Sequence, residues 1–500
     1  MDKAKRVLYN TLSQYIRTGL NVILSLYSTR IVMTTLGEAD YGLYSVIAGV
    51  VAMLSFVSNA LVISTQRYLS YSHSQEDKTI ISKVFGNSLI IHCSITLCLL
   101  VVLGSLTNLV VTTFLDIPYS KIGAAKVVYL CAAAMIALSF ITSPFKALFV
   151  ARENIVYISI IDIVDGIFKV CAALLLPFVG FDKLEAYAVL LVSISVFNLI
   201  AFGLYASLKY SECHLPKISE IDKTYVKKLL GFASWTLYST GCVMLRTQGI
   251  AVIINRAFGV LVNASYGIAQ QVSGALLNVS QAIANALSPQ IIKTEGEGNR
   301  EKMLYLASLE CKYAYMMLAM VAIPLIFNMS FILELWLKNV PQNSVMFCNM
   351  VIIAAMCDTL TGGLGIANQA IGKIKVYSLV FGSLKLLTLP IAYIAVRIIR
   401  NPLYVMLPFV AIELLTATAR MFFLKSTAGL SIPVFLKNVI CPAIYSTCAL
   451  TGICFILNNY ISWNYKIIIL IPVSVLSAAL VAYCTMSNEE KGLVKRICRR

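Results

Sequence analysis

Apolar runs of about 20 residues or more recur along the whole of this 500-residue chain, and a bilayer core about 30 Å thick needs roughly that many residues per helical crossing. Backbone polar groups in hydrocarbon must be satisfied within the protein, which favours helices. The longest polar stretches, His73 to Lys83, Tyr210 to Lys228 and Pro289 to Lys302, reach about 20 residues, below the roughly 40 that a stable domain requires. The expectation is an all-α polytopic membrane protein with no separate soluble catalytic domain. Composition agrees, at 59% hydrophobic and 13% charged residues.

Reading the runs against their polar breaks gives about fourteen transmembrane helices. The expected spans are 8–36, 40–64, 80–107, 125–147, 155–178, 184–208, 228–254, 260–287, 303–328, 344–367, 375–397, 402–424, 437–458 and 464–485. When the connections alternate sides, Lys3, Lys5, Arg6, Lys78, Lys83, Lys146, Arg152, Lys223, Lys293, Lys375, Lys491 and Arg500 all collect on one side, and few basic residues remain on the other. Positive loops resist translocation, so the basic side, with both termini, is expected in the cytoplasm. The same asymmetry absorbs most of the +17 formal charge without nucleic acid. Met1 to Arg6 is basic, but no small-residue cleavage site follows it, so the first helix is expected to stay. Most of the fourteen cysteines sit inside apolar runs with no CxxC, where a thiol is a small packing group. Trp336, Trp463, Tyr119 and Tyr404 fall near expected outer ends.

A long internal period of about 220 residues is visible. Leu36-Gly37 followed by Tyr41-Gly42 is echoed by Phe258-Gly259 followed by Tyr266-Gly267, and Ala147 to Tyr157 by Ile366 to Tyr377. Chance could produce such short matches singly, but two positions share nearly one offset. A repeat of six helices makes the units parallel, with a cavity expected between two bundles. The expected domains are 1–220, 221–430, and a peripheral pair of helices with a basic tail over 431–500.

Charged side chains facing lipid at mid-depth cost about 2.5–3.5 kcal/mol, so they normally face a cavity or a partner. In the first span Asn10, Gln14, Arg17, Asn21, Ser25 and Ser28 step by three and four, forming one continuous face. Hydrogen bonding to a neighbouring helix could account for the serines, whereas Arg17 points to water. In the fifth span Ser159, Asp162, Asp165 and Lys169 share a face; Asp165 and Lys169 can pair as i and i+4 neighbours, while Asp162 has no obvious local partner. Glu413, Thr416 and Arg420 repeat the theme, and Arg246, Lys312, Asp358 and Lys385 add single intramembrane charges. Gln271, Asn278, Gln281 and Asn285 form an uncharged amide face, equally suited to sugars and to holding helices together.

Other chemistry is poorly provided for. With only His73, His92 and His214, no His-based metal set or triad can be assembled. There is no GxxxxGK[ST] run and no HExxH. No cofactor and no catalytic residue are expected.

The residues Tyr27-Ser-Thr-Arg-Ile-Val-Met-Thr-Thr-Leu-Gly37, Tyr41-Gly-Leu-Tyr44 and Ser64-Thr-Gln-Arg-Tyr-Leu-Ser70 resemble the polysaccharide transporter, or O-antigen flippase, family of the multidrug/oligosaccharidyl-lipid/polysaccharide exporter superfamily. The similarity is densest over the first 75 residues. It implies a flippase moving a polyprenyl-pyrophosphate-linked oligosaccharide across a bacterial inner membrane by alternating access, with glycan polymerase and glycosyltransferases as candidate partners. Arg17, Arg246 and Lys385 would then face pyrophosphate or acidic sugars, and Gln14, Asn21, Gln271, Asn278 and Gln281 the glycan hydroxyls. Asp162, Asp165 and Glu413 are candidates for ion coupling. A cation-coupled multidrug exporter of the same superfamily is the alternative, and a glycan-modifying enzyme using His92 the non-transport reading.

Overall fold

The structure is a computed structural model; it describes residues 3–37, 54–74, 78–114, 119–213, 221–337 and 340–460, with scattered residues between 40 and 51 and beyond 471. Among these residues it is all-α, without a strand. The elements are α1 (Lys3–Leu36), α2 (Ser55–Ser74), α3 (Lys78–Leu109), α4 (Ile122–Ala151), α5 (Ile155–Leu175), α6 (Lys183–Lys209), α7 (Lys223–Phe258) and α8 (Val260–Gly296). There follow α9 (Arg300–Phe327), α10 (Met329–Leu337), α11 (Ser344–Thr359), α12 (Gly362–Ile371), α13 (Ile374–Leu386), α14 (Thr388–Ile398), α15 (Leu403–Ala428), α16 (Ile432–Phe435) and α17 (Cys441–Tyr460).

Several expected spans are subdivided. The run 40–64 is broken by a turn at Leu54, after which α2 continues to Ser74. The run 344–367 is two helices, α11 and α12, bent by 42°. The run 375–397 divides at Leu387, because Pro390 has no N–H to donate back and its ring crowds the carbonyl four residues earlier. The short helix α10 was not foreseen, and the expected span 464–485 lies, but for a few scattered positions, outside the described residues.

The repeat is visible in backbone geometry. Gly37 closes α1 with φ +82° and Gly259 closes α7 with φ +85°. Both have a positive φ that glycine reaches without a Cβ penalty, which is why each marks a helix end. At the second pair of matching segments the chain turns through Glu153 at φ +57° and Gly372 at φ +85°.

Eight helices, or nine if the bent α11–α12 pair is one span, are long and apolar enough to cross a membrane among the described residues. Of the remaining helices with at least 18 residues, α1, α2, α5 and α8 are too polar or too charged to meet that standard. They are long enough to cross but cannot present lipid with an apolar surface all round. Three of them, α1, α5 and α8, carry the polar faces read from the sequence, and α2 carries the Ser64–Ser70 run.

The chain divides into two compact units, one of residues 12–237, the other of residues 238–500 together with 1–11. In the first, α4 packs against α2, α3 and α6, burying Tyr129, Phe140 and Leu184 in one cluster and Phe85, Phe149 and Phe202 in another. In the second, α9 packs against α8, α12 and α17 and is the most thoroughly buried of the eight apolar spans. Ala314, Ala319 and Ala322 are fully buried on α9; side chains this small let neighbouring helices approach closely.

Candidate functional site

In the unit of residues 12–237 the charged faces of α1 and α5 meet. Asp162, which has no partner on its own helix, receives one from each side: Arg17 Nη1 lies 2.7 Å from its Oδ2, and Lys146 Nζ on α4 lies 3.3 Å from its Oδ1. Lys146, read from sequence at the basic end of the span 125–147, lies within α4, which runs on to Ala151. Arg17 therefore does not face water alone. Both Arg17 and Asp162 nevertheless keep 23% of their side-chain surface exposed.

One turn further along α5, Asp165 pairs with Lys169 at 2.7 Å, the i, i+4 bridge read from spacing. Asn198 Nδ2 on α6 donates to the other oxygen of Asp165 at 2.7 Å. A polar cavity of about 240 Å³ adjoins this pair, lined by Asn21, Ser25, Ser28, Asp165, Lys169 and Tyr187 among others. Ser28 Oγ donates to the Lys169 carbonyl at 3.3 Å, as expected for a serine that joins helices. Gln14 is buried, and Asn21 Oδ1 is buried with no hydrogen-bond partner among the described residues. The helices approach closely at Gly166, where a Cβ would lie 2.9 Å from Leu24 Cδ1.

The unit of residues 238–500 holds a second cluster. Glu413 on α15 bridges two cations: Arg246 Nη1 of α7 lies 2.5 Å from its Oε1, and Lys385 Nζ of α13 lies 3.2 Å from its Oε2. Lys385 also reaches Asp358 of α11 at 3.0 Å, and Arg420 of α15 reaches the same Asp358 oxygen at 2.9 Å. The Arg246 guanidinium stacks 4.2 Å from the centre of the Phe409 ring, a cation–π contact that strengthens as water is excluded. Arg246 and Glu413 are only 6% and 3% exposed. In low dielectric such pairs hold strongly, and removing one member leaves a buried charge.

Glu310 on α9, which the sequence reading passed over, packs beside the start of α12. Its Oε2 is buried without a hydrogen-bond partner among the described residues, and a Cβ on Gly363 would collide with it and with the Ala307 carbonyl. No period announces Glu310, because no charged residue stands three or four positions from it on α9. Gln271, Asn278 and Gln281 are exposed along α8, with Gln281 Nε2 donating to Asn285 Oδ1 at 3.2 Å. They do not join the charged cluster.

His92 is buried on α3, its Nδ1 2.8 Å from the Ser88 carbonyl, and Ser88 Oγ lies 2.6 Å from Thr65 Oγ1. These are helix-packing contacts. The described cysteines are all free.

The fold is similar to those of solved MATE and MOP-superfamily transporters. A MATE in the bent conformation matches with TM-score 0.74 at 13% identity, over 86% of this chain and 98% of that one. A MOP superfamily transporter from Pyrococcus furiosus, whose binding pocket is described as of reversed polarity, matches with TM-score 0.72 at 13% identity over 86% and 96%. The MATE transporter ClbM in complex with Rb⁺ matches with TM-score 0.72 at 14% identity over 87% and 96%. At these identities the likeness shows the fold alone. No curated protein gives a significant sequence match. The family model described as polysaccharide biosynthesis protein matches residues 4–295, more than half of the chain, and the chain therefore belongs to that family.

Proposed function

We propose that the protein is a flippase that carries a polyprenyl-pyrophosphate-linked oligosaccharide, the repeat unit of an O-antigen, capsule or exopolysaccharide, across a bacterial inner membrane by alternating access. The observation that carries this reading is the family match over residues 4–295, which takes in α2 and α5 and almost all of α1 and α8, the four long helices too polar for lipid. The glycan hydroxyls engage Gln271, Asn278 and Gln281, with Gln14 and Asn21 on α1. The pyrophosphate engages Arg17, Arg246 and Lys385. Each of these cations already holds a carboxylate, so cargo binds by competition: phosphate displaces Asp162 from Arg17, or Glu413 from Arg246 and Lys385. A displaced carboxylate in low dielectric is costly unless it takes up a proton or cation. That cost is the reason to assign Asp162 and Glu413 to ion coupling, and Asp165, one turn from Asp162 on α5 and held by Lys169, is assigned with them.

Translocation needs no catalytic residue and no cofactor. The Lys/Arg asymmetry supports both termini in the cytoplasm, and glycan polymerase and glycosyltransferases are the partners that such a role brings. In a strain without redundant flippases, deleting the gene stops surface glycan display and accumulates lipid-linked repeat units inside the cell; unchanged display rejects the reading. Arg17→Ala abolishes display at normal membrane abundance, and Arg17→Lys retains part of it. Full activity of the alanine variant removes Arg17 from the site. Raised resistance to cationic dyes with glycan display unaffected would establish the multidrug exporter instead.

A further inference from the structure

A second cavity, of about 720 Å³, lies wholly within the unit of residues 238–500, where the first half of α9 faces the segment from Gly429 to Tyr445. Its volume is within the roughly 300–1,000 Å³ of small-ligand sites. Two lysines line it, Lys312 and Lys437, against a single carboxylate, Glu301. Tyr305, Ser308 and Asn438 add hydroxyl and amide groups, while Leu309, Val434 and Pro442 make the walls apolar. None of these residues belongs to the charged clusters described above.

The hydrogen bond between Tyr315 and Thr447, 2.8 Å between hydroxyl oxygens, fixes the register of α9 on α17. Ten residues before each lie Tyr305 and Lys437, both on the cavity wall. Lys312 is seven residues further along α9, about 10 Å at 1.5 Å per residue. The Cα–Cβ bond of a helical residue tilts toward the helix N-terminus, so Lys312 leans back toward the level of Lys437. Lys312 is only 3% exposed, whereas Val434 and Tyr445 on the far wall are 55% and 63% exposed. The site thus combines a sheltered cationic end with an open apolar flank, as an amphiphile with an anionic head requires. Basic pockets between transmembrane helices on the cytoplasmic side are suited to lipid headgroups.

We infer that this cavity binds an anionic glycerophospholipid of the surrounding bilayer, its phosphate held by Lys312 and Lys437 and its acyl chains laid along Val434, Pro442 and Tyr445. The inference stands apart from the cargo reading and does not depend on it. Delipidated full-length protein in detergent is offered dioleoylphosphatidylglycerol, dioleoylphosphatidylcholine or polyprenyl phosphate, and bound lipid is counted by native mass spectrometry. Phosphatidylglycerol is retained over phosphatidylcholine, and Lys437→Gln lowers that retention about fivefold, the effect of one lysine near an anionic lipid. Lys437→Arg keeps it, and Lys312→Gln with Lys437→Gln abolishes the preference. Equal retention of the two phospholipids, or retention indifferent to Lys437→Gln, overturns the proposal. A preference for polyprenyl phosphate that Lys437→Gln removes overturns it as well, by giving the cavity to the prenyl lipid. If the double variant does not fold, Lys437→Gln decides alone, because Lys437 is exposed and its loss leaves the helix core intact.

Discussion

Counted from Tyr157 in one unit and Tyr377 in the other, the eighth residue is Asp165 in the first and Lys385 in the second. The repeat keeps the backbone, with glycines of positive φ closing α1 and α7, yet reverses the charge at this position. The surroundings differ to match. Asp165 and Asp162 are held by partners that retain contact with solvent, and the neighbouring cavity is polar. Lys385 is buried against Glu413 and reaches Asp358, which keeps 36% of its side chain exposed, in a chain of pairs that also includes Arg246 and Arg420. Part-exposed pairs contribute little to stability and can exchange partners, whereas a buried pair cannot lose one member without stranding the other. The first cluster has the character of a site and the second that of a lock, which makes Arg17 the easier cation for an anionic cargo to reach.

The most severe test of this contrast is Glu413→Ala, which strands Arg246, leaves Lys385 with Asp358 alone, and lowers stability by about 3–5 kcal/mol. It is read as a large fall in Tm of the purified protein in detergent, and a Tm unchanged from wild type breaks the comparison. Gly363→Ala comes next, at about 1–3 kcal/mol, since an added methyl meets a backbone carbonyl and the buried Glu310 carboxylate. Gly166→Ala meets mainly the flexible end of Leu24 and costs less; equal melting of the two glycine variants would show that the units are equally tight. Asp162→Asn changes stability by about 1 kcal/mol or less while altering glycan display, so a Tm loss matching that of Glu413→Ala would make the first cluster a lock too.

The smallest effect belongs to Asp222, outside the spans, whose carboxylate accepts from the Thr224 N–H at 2.8 Å. That hydrogen bond holds the carboxyl below its ordinary range. Its contribution is full above the unfolded aspartate pKa and is lost as pH falls through the lowered folded value. Wild type should therefore melt slightly above Asp222→Ala at neutral pH, and together with it in strong acid.

What the sequence determined by itself follows from the chain's own geometry. Apolar length sets the all-α membrane class, the steps of three and four put Arg17 and Asn21 on one face, and the spacing of Asp165 and Lys169 gives their bridge. Pro390 and the two glycines of positive φ, Gly37 and Gly259, likewise carry their local consequences in their own covalent structure. Helical periodicity, however, says which residues share a face and not which neighbour that face meets. Only the tertiary structure could give Asp162 its partners on α1 and α4, place Glu413 between Arg246 and Lys385, or seat Glu310 against Gly363. Those contacts join residues more than a dozen positions apart, and such pairings are decided by how whole helices pack.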